Sequence, residues 1–109
     1  MPDIRYYVAA DGRAPFAEWF AEVDAVARAK MTRAIVRLEQ GNFSSVKSVG
    51  EGVFEYRIDF GPGYRVYFGQ DGPNLVILLT GGMKKRQQHD IDAAHAHWRD
   101  YKARKRARH

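Results

Sequence analysis

The chain has 109 residues, enough for one domain, and its 45% hydrophobic and 13% aromatic content is enough for one core. Absence of cysteine excludes a disulfide scaffold and a thiolate metal centre, and fits a reducing compartment such as the cytoplasm. Lys plus Arg outnumber Asp plus Glu by 18 to 13, a lean toward anionic partners.

The N-terminus reads MPDIRYYVAADG, with no basic start and no long apolar run, so no secretory leader and no membrane partner are expected. Residues 4–9, IRYYVA, suit a first strand that Asp11-Gly12 ends. Pro15 sits where a first helical turn tolerates proline, and Phe16, Trp19, Phe20 and Val23 follow at helical spacing. Asp24 can cap a second helix whose apolar stripe is Ala27, Met31, Ala34, Ile35 and Leu38. Gly41 is a good stop for it. Residues 42–52 are loop-like in composition.

Three strands are expected next. Residues 53–60 alternate, with Phe54, Tyr56, Ile58 and Phe60 on one face and Val53, Glu55, Arg57 and Asp59 on the other. Gly61-Pro62-Gly63 reads as a three-residue turn, and Tyr64 to Gly69 returns with Arg65 and Tyr67 on the second face. That turn would set Asp59 opposite Arg65 and Arg57 opposite Tyr67. Asp71-Gly72 is a hairpin signal, and the continuously apolar NLVILLT of residues 74–80 suits a strand covered on both faces. Gly81-Gly82 ends it. Asp90 can cap a last helix through about Lys102, followed by a basic tail at about 102–109 that carries Lys102, Arg104, Lys105, Arg106 and Arg108. The expected order is βααβββα in a single domain over 1–109, an α+β fold with an antiparallel sheet packed on helices.

Arg57, Arg65, Lys84 and Lys85 can then converge on one patch at the end of the sheet, with Arg86 leaving from the same edge and Lys47 added by the preceding loop. The alternative is a salt-bridged outer face that pairs Asp59 with Arg65 and Glu55 with a neighbour. Planar guanidiniums beside a tight turn suit a phosphodiester, and Tyr67 beside them suits stacking on a base. His95 and His97 are two apart on a helix and share no face, so no metal site is expected.

The element order, the stretch GVFEYRIDFGPGYRVYF and the following LLTGGMKKRQQHDIDAA resemble the RelE/ParE superfamily of bacterial toxins, in particular its HigB-like, phage-derived branch of addiction module killer proteins. The resemblance implies a RelE-like microbial RNase fold and the toxin of a type II toxin–antitoxin pair. It implies a metal-independent endoribonuclease, without cofactor, that cuts mRNA on the ribosome and so inhibits translation. A cognate antitoxin, a small helix-turn-helix protein, would neutralise it, so contact with DNA would be indirect. By position, Arg65 matches a catalytic arginine, Arg57 stands at or beside a basic position on the preceding strand, and Lys84, Lys85 or Arg86 matches the basic residue after the last core strand. This makes Arg65, Arg57, Lys84 and Lys85 the catalytic candidates and Lys47, Tyr67 and Arg86 the RNA-binding ones. Glu55 stands where such toxins carry a second lysine, and HDID at residues 89–92 lacks their late tyrosine. Two other readings stay open: a ParE-type inhibitor of DNA gyrase without nuclease activity, and an inactive homologue that only binds its partner.

Overall fold

The computed structural model describes residues 2–107. Strand β1 (Asp3–Tyr6) leads to helices α1 (Pro15–Glu22) and α2 (Ala25–Glu39). Strands β2 (Val46–Ser48), β3 (Val53–Ile58), β4 (Tyr64–Gln70) and β5 (Leu75–Met83) follow. A 3₁₀ turn (Lys84–Arg86) then runs into helix α3 (Gln87–Ala107). The class is α+β as expected, but the order gains a strand. Lys47 lies within β2, antiparallel to β3 opposite Glu55, where the Ser-rich composition suggested only loop.

The sheet order is β1-β5-β4-β3-β2. All neighbours are antiparallel except β1 and β5, which run parallel with Ile4 opposite Val76. The expectation of a wholly antiparallel sheet therefore fails at this edge, where two helices and three strands separate the pair in the chain.

Local signals explain the first helices. Pro15 opens α1, where its missing N–H costs nothing. Asp24 caps α2, its Oδ1 accepting from the Ala27 N–H at 3.0 Å, and its other oxygen accepts from the Tyr64 hydroxyl at 3.4 Å. One side chain thus ends a helix and ties it to β4. Gly41 follows α2 with φ +77°, as a left-handed helix exit favours.

The sheet is covered on both faces. On one face α1 and α2 pack Phe16, Met31 and Leu38 against Tyr56, Val66, Phe68, Val76 and Leu78. On the other, Ala94 and Trp98 of α3 pack against Tyr7, Val53, Tyr67, Ile77 and Leu79. No helix among the described residues is long and apolar enough to cross a membrane.

Glycines permit this sandwich. A Cβ at Gly69 would stand 2.6 Å from the Trp98 ring, and one at Gly81 would stand 2.1 Å from the Trp19 ring. The register of β4 against β5 shifts between Tyr67 and Phe68, a bulge that re-phases the end of β5. Gly81 therefore faces α1, while Gly82 faces α3 with Asp90 Oδ2 only 1.9 Å from its would-be Cβ. The pair does not end the strand, which continues to Met83. It is there for close approach on both sides.

Helix α3 departs from expectation at both ends. It starts at Gln87, because Gln87 and Gln88 continue the turn begun at Lys84 and nothing there breaks a helix. Asp90 lies in its first turn and does not cap it. The expected tail is mostly the last turns of this helix. Arg104 pairs with Asp100 at 3.0 Å and donates to the Val8 carbonyl, and Lys105 pairs with Asp71. The Tyr7 hydroxyl also donates to Asp100 at 2.6 Å, and burial together with that carboxylate pushes the phenol up to about 12. Arg108 and His109 lie outside the described residues.

Gly81→Ala drives a methyl group into the packed Trp19 ring. We expect a loss of about 1–3 kcal/mol in denaturant unfolding, in the range of other overpacked cores. An unchanged midpoint would show that Trp19 moves aside freely.

Candidate functional site

The hairpin of β3 and β4 carries most of the candidate residues, and its turn is longer than the sequence suggested. Strand β3 stops at Ile58, so residues 59–63 form the connection. Gly63 N–H donates to the Phe60 carbonyl at 3.0 Å, and Gly61 and Gly63 both take positive φ. Phe60 leaves the strand and lies under the Lys30 ammonium, 4.8 Å from its ring centre. The register is therefore Ile58 to Tyr64, Arg57 to Arg65 and Glu55 to Tyr67, two residues from the expected pairing. A slip of two keeps every side chain on its expected face. It replaces an Asp59–Arg65 pair by two arginines directly across from each other.

Like charges in that position repel. The structure separates them by burial. Arg57 is exposed, whereas Arg65 is 5% exposed under the start of α3. Its Nε lies 3.4 Å from Glu55 Oε2, near enough for an ion pair but not aligned for a hydrogen bond. Glu55 is 1% exposed. Its carboxylate also accepts from Gln87 Nε2 at 2.9 Å and has Lys47 Nζ at 3.8 Å. One buried carboxylate thus gathers residues from β2, β4 and the first turn of α3.

The neighbourhood is not fully satisfied. Arg65 Nε and Nη1, Glu55 Oε1 and the Tyr67 hydroxyl are buried without a hydrogen-bond partner. Buried polar atoms are nearly always bonded, so these four point to a bridging water or to a small adjustment that brings the Tyr67 hydroxyl onto Glu55. Tyr67 is fully buried beside Glu55. Burial first, then the Glu55 charge, hold its phenol well above the usual value. Its ring is packed in the core beneath α3, so the expected stacking on a base is corrected: no face of it is open.

The remaining cations stand above this buried pair. Lys84, Lys85 and Arg86 are all exposed on the 3₁₀ turn. The Lys84 N–H donates to the Gly63 carbonyl at 3.0 Å, which ties that turn to the hairpin connection. A Cβ on Gly63 would be 3.5 Å from Lys84 Cβ and 3.7 Å from Arg65 Nη1, so these two cationic side chains flank the same glycine. The structure brings together Arg57, Arg65, Lys84 and Lys47. It leaves Lys85 and Arg86 beside them on the turn and removes Tyr67 to the interior.

The organising role of Glu55 and Gln87 was not apparent in the sequence. The available signal was the apolar residues 74–80, which implied cover on both faces of the sheet and hence a roof over Glu55.

Residues 18–99 match the family described as phage-derived protein Gp49-like (DUF891). The chain belongs to this family. The matched span runs from α1 into α3 and contains every site residue named above. The chain is also 48% identical, over 80 residues, to an uncharacterized protein of Haemophilus influenzae. That similarity covers 72% of this chain and 81% of the relative. In this Gp49-like chain, the roof of the site is the first turn of α3.

Asp90, half-buried over Gly82, is the other carboxylate of that roof. Burial raises its pKa above the usual 3.8, against the opposing charges of His89 and Arg86. The folded state therefore favours the neutral acid. That contribution is complete below pH 3.8 and is lost as pH rises through the raised value. Asp90→Asn should accordingly be more stable than wild type at pH 7, with the difference closing as pH falls below 4. Urea unfolding at both pH values checks this. An Asn variant less stable at pH 7 would mean that the charge is favourably engaged by the helix N-terminus.

Proposed function

We propose that this Gp49-like chain is the toxin of a type II toxin–antitoxin pair, and that it acts as a ribosome-dependent mRNA endoribonuclease silenced by a cognate antitoxin. The observation that carries this reading is the cation platform over the Glu55–Arg65 pair: one buried carboxylate, with Arg57, Arg65, Lys84 and Lys47 around it. Membership of a phage-derived family is consistent with such a pair.

The reaction is attack of a ribose 2′-hydroxyl on the adjacent phosphate, which leaves a cyclic phosphate and a 5′-hydroxyl. The negative charge that builds on the phosphate must be met by donors already in place. Arg57 and Lys84 reach it from the surface. Arg65, held by Glu55, has its charge largely balanced by that carboxylate and serves to fix the site from below. Lys85, Arg86 and Lys47 hold flanking phosphates. The carboxylate of Glu55 is engaged by three partners, so its role is to place cations. The ribosome supplies the in-line orientation of the strand.

Induced alone in a bacterium, the chain should stop growth and protein synthesis. In a translation extract it should cut mRNA on ribosomes and leave naked RNA largely intact. Arg57→Ala and Lys84→Ala should each fold normally, because both side chains are exposed, and should lower cleavage by roughly 10²–10³-fold where the donor meets the phosphate. Early DNA breaks with continuing translation would replace this reading with gyrase inhibition. Full toxicity of the doubly substituted protein would remove the platform from the mechanism.

A further inference from the structure

A second row of cations lies outside the platform. Helix α2 carries Lys30, Arg33 and Arg37, which at 3.6 residues per turn fall within an arc of roughly 60°. Arg28 and Glu39, the other charged residues of the helix, fall on the opposite side. No carboxylate of α2 shares the face with the row, so it lacks the acidic neighbours at helical spacing that a solvated charged face usually has.

The row faces a groove of about 220 Å³. Its other wall is Arg57 and Asp59, its floor includes Tyr56, and Ser45 stands at one end. Two of the cations are held in place. The Lys30 ammonium rests over the Phe60 ring, and Arg37 Nη1 donates to the Tyr56 hydroxyl at 3.3 Å. The groove exists because β2 is short. Its first residue, Val46, pairs with Tyr56, so the edge of β3 away from β4 has no strand beside it from Arg57 onward.

A second groove, of about 330 Å³, begins where the first ends. It shares Ser45, Arg57 and Asp59 and leads to Lys47 and Glu55. Arg57 is thus the junction of a path that starts on α2, crosses the open edge of β3 and enters the platform. Along it stand Lys30, Arg33, Arg37, Arg57 and Lys47. The exposed carboxylate is Asp59, since Glu55 is buried and paired.

We propose that this path is a second binding surface, a track for the phosphodiester backbone of single-stranded RNA that continues from the cleavage platform. The inference rests on the nuclease reading for where the strand leads, while its test needs no cleavage. The chemistry favours nucleic acid over a protein partner. Across the two grooves the cations Lys30, Arg33, Arg37, Arg57 and Lys47 stand against three aliphatic side chains, Ala34, Val46 and Ile58, and Tyr56 is buried, so a protein partner would find little open apolar surface there. A line of fixed cations matches a line of phosphates and reads no base.

The probe is a labelled single-stranded RNA of mixed sequence with every 2′-oxygen methylated, so that the attacking hydroxyl is blocked and binding is read alone. Fluorescence anisotropy over a range of salt gives the slope of log affinity against log salt. That slope is about −0.7 per phosphate neutralised on a single strand. The variant Lys30→Gln with Arg33→Gln leaves the Arg37–Tyr56 bond intact, and circular dichroism checks its fold. It should bind more weakly, with a slope shallower by about 1.4. The control Arg28→Gln with Arg106→Gln removes the same charge elsewhere and should keep the wild-type slope. No binding by the wild type, an unchanged slope in the first variant, or equal loss in the control would each overturn the track. Equal affinity for polyglutamate, with the same dependence on Lys30 and Arg33, would also overturn it and assign the groove to an acidic protein. Absence of ribosomal cleavage by the wild type, with the RNA slopes as expected, would sink the nuclease reading and leave the track standing.

Discussion

Glu55 and Arg65 lie diagonally across the β3–β4 hairpin, both under the first turn of α3, and the rest of the site is arranged around that pair. Removing two charges from water is costly, and their mutual attraction repays this only with good geometry and further bonds. Here Glu55 is supported by Gln87 from α3 and Lys47 from β2, so one carboxylate joins three elements. A buried pair of this kind is poor evidence for stability. It is better evidence that the position of Arg65 matters, because apolar residues could fill the same space at lower cost.

The pair also governs which cations are free. Arg57 stands directly opposite Arg65, and the two would repel in solvent. Turning Arg65 inward toward Glu55 leaves Arg57 alone at the open edge of β3, where the two grooves meet. The glycines set the height of the roof. Gly82 admits Asp90 close to the sheet and Gly63 lies between Lys84 and Arg65, so the cations from the hairpin and from the 3₁₀ turn share one small area.

Much of this was legible in the residues. The Asp24 cap, the Pro15 start, the Gly41 stop and the alternation along both hairpin strands are local signals, and each element lies where its signal predicts within a few residues. The faces of the hairpin were legible for the same reason, since a period of two survives an error of two in the turn. The pairing did not, because Gly61-Pro62-Gly63 marks a turn but not how far Asp59 and Phe60 peel away before it. Strand β2 was hidden because three residues in a Ser-rich stretch carry no pattern of their own and become a strand only by pairing with β3. The burial of Tyr67 and Glu55 was the largest omission. Their alternation placed them on the polar-looking face, and only the long-range packing of Ala94 and Trp98 makes that face an interior. The cations on α2 were visible as charges, but their line toward Arg57 depends on β2 ending where it does.

A double-mutant cycle on Glu55 and Arg65 tests the account most directly. Unfolding free energies would be measured for wild type, Glu55→Gln, Arg65→Met and the double variant. If the buried pair organises the site, each single change should cost on the order of 3–5 kcal/mol, because it leaves the other group buried and less compensated. The double variant should then lose clearly less than the sum of the two, with a coupling of at least about 1 kcal/mol. Additive losses, with no coupling, would show that Glu55 and Arg65 are buried independently and that the platform has another foundation.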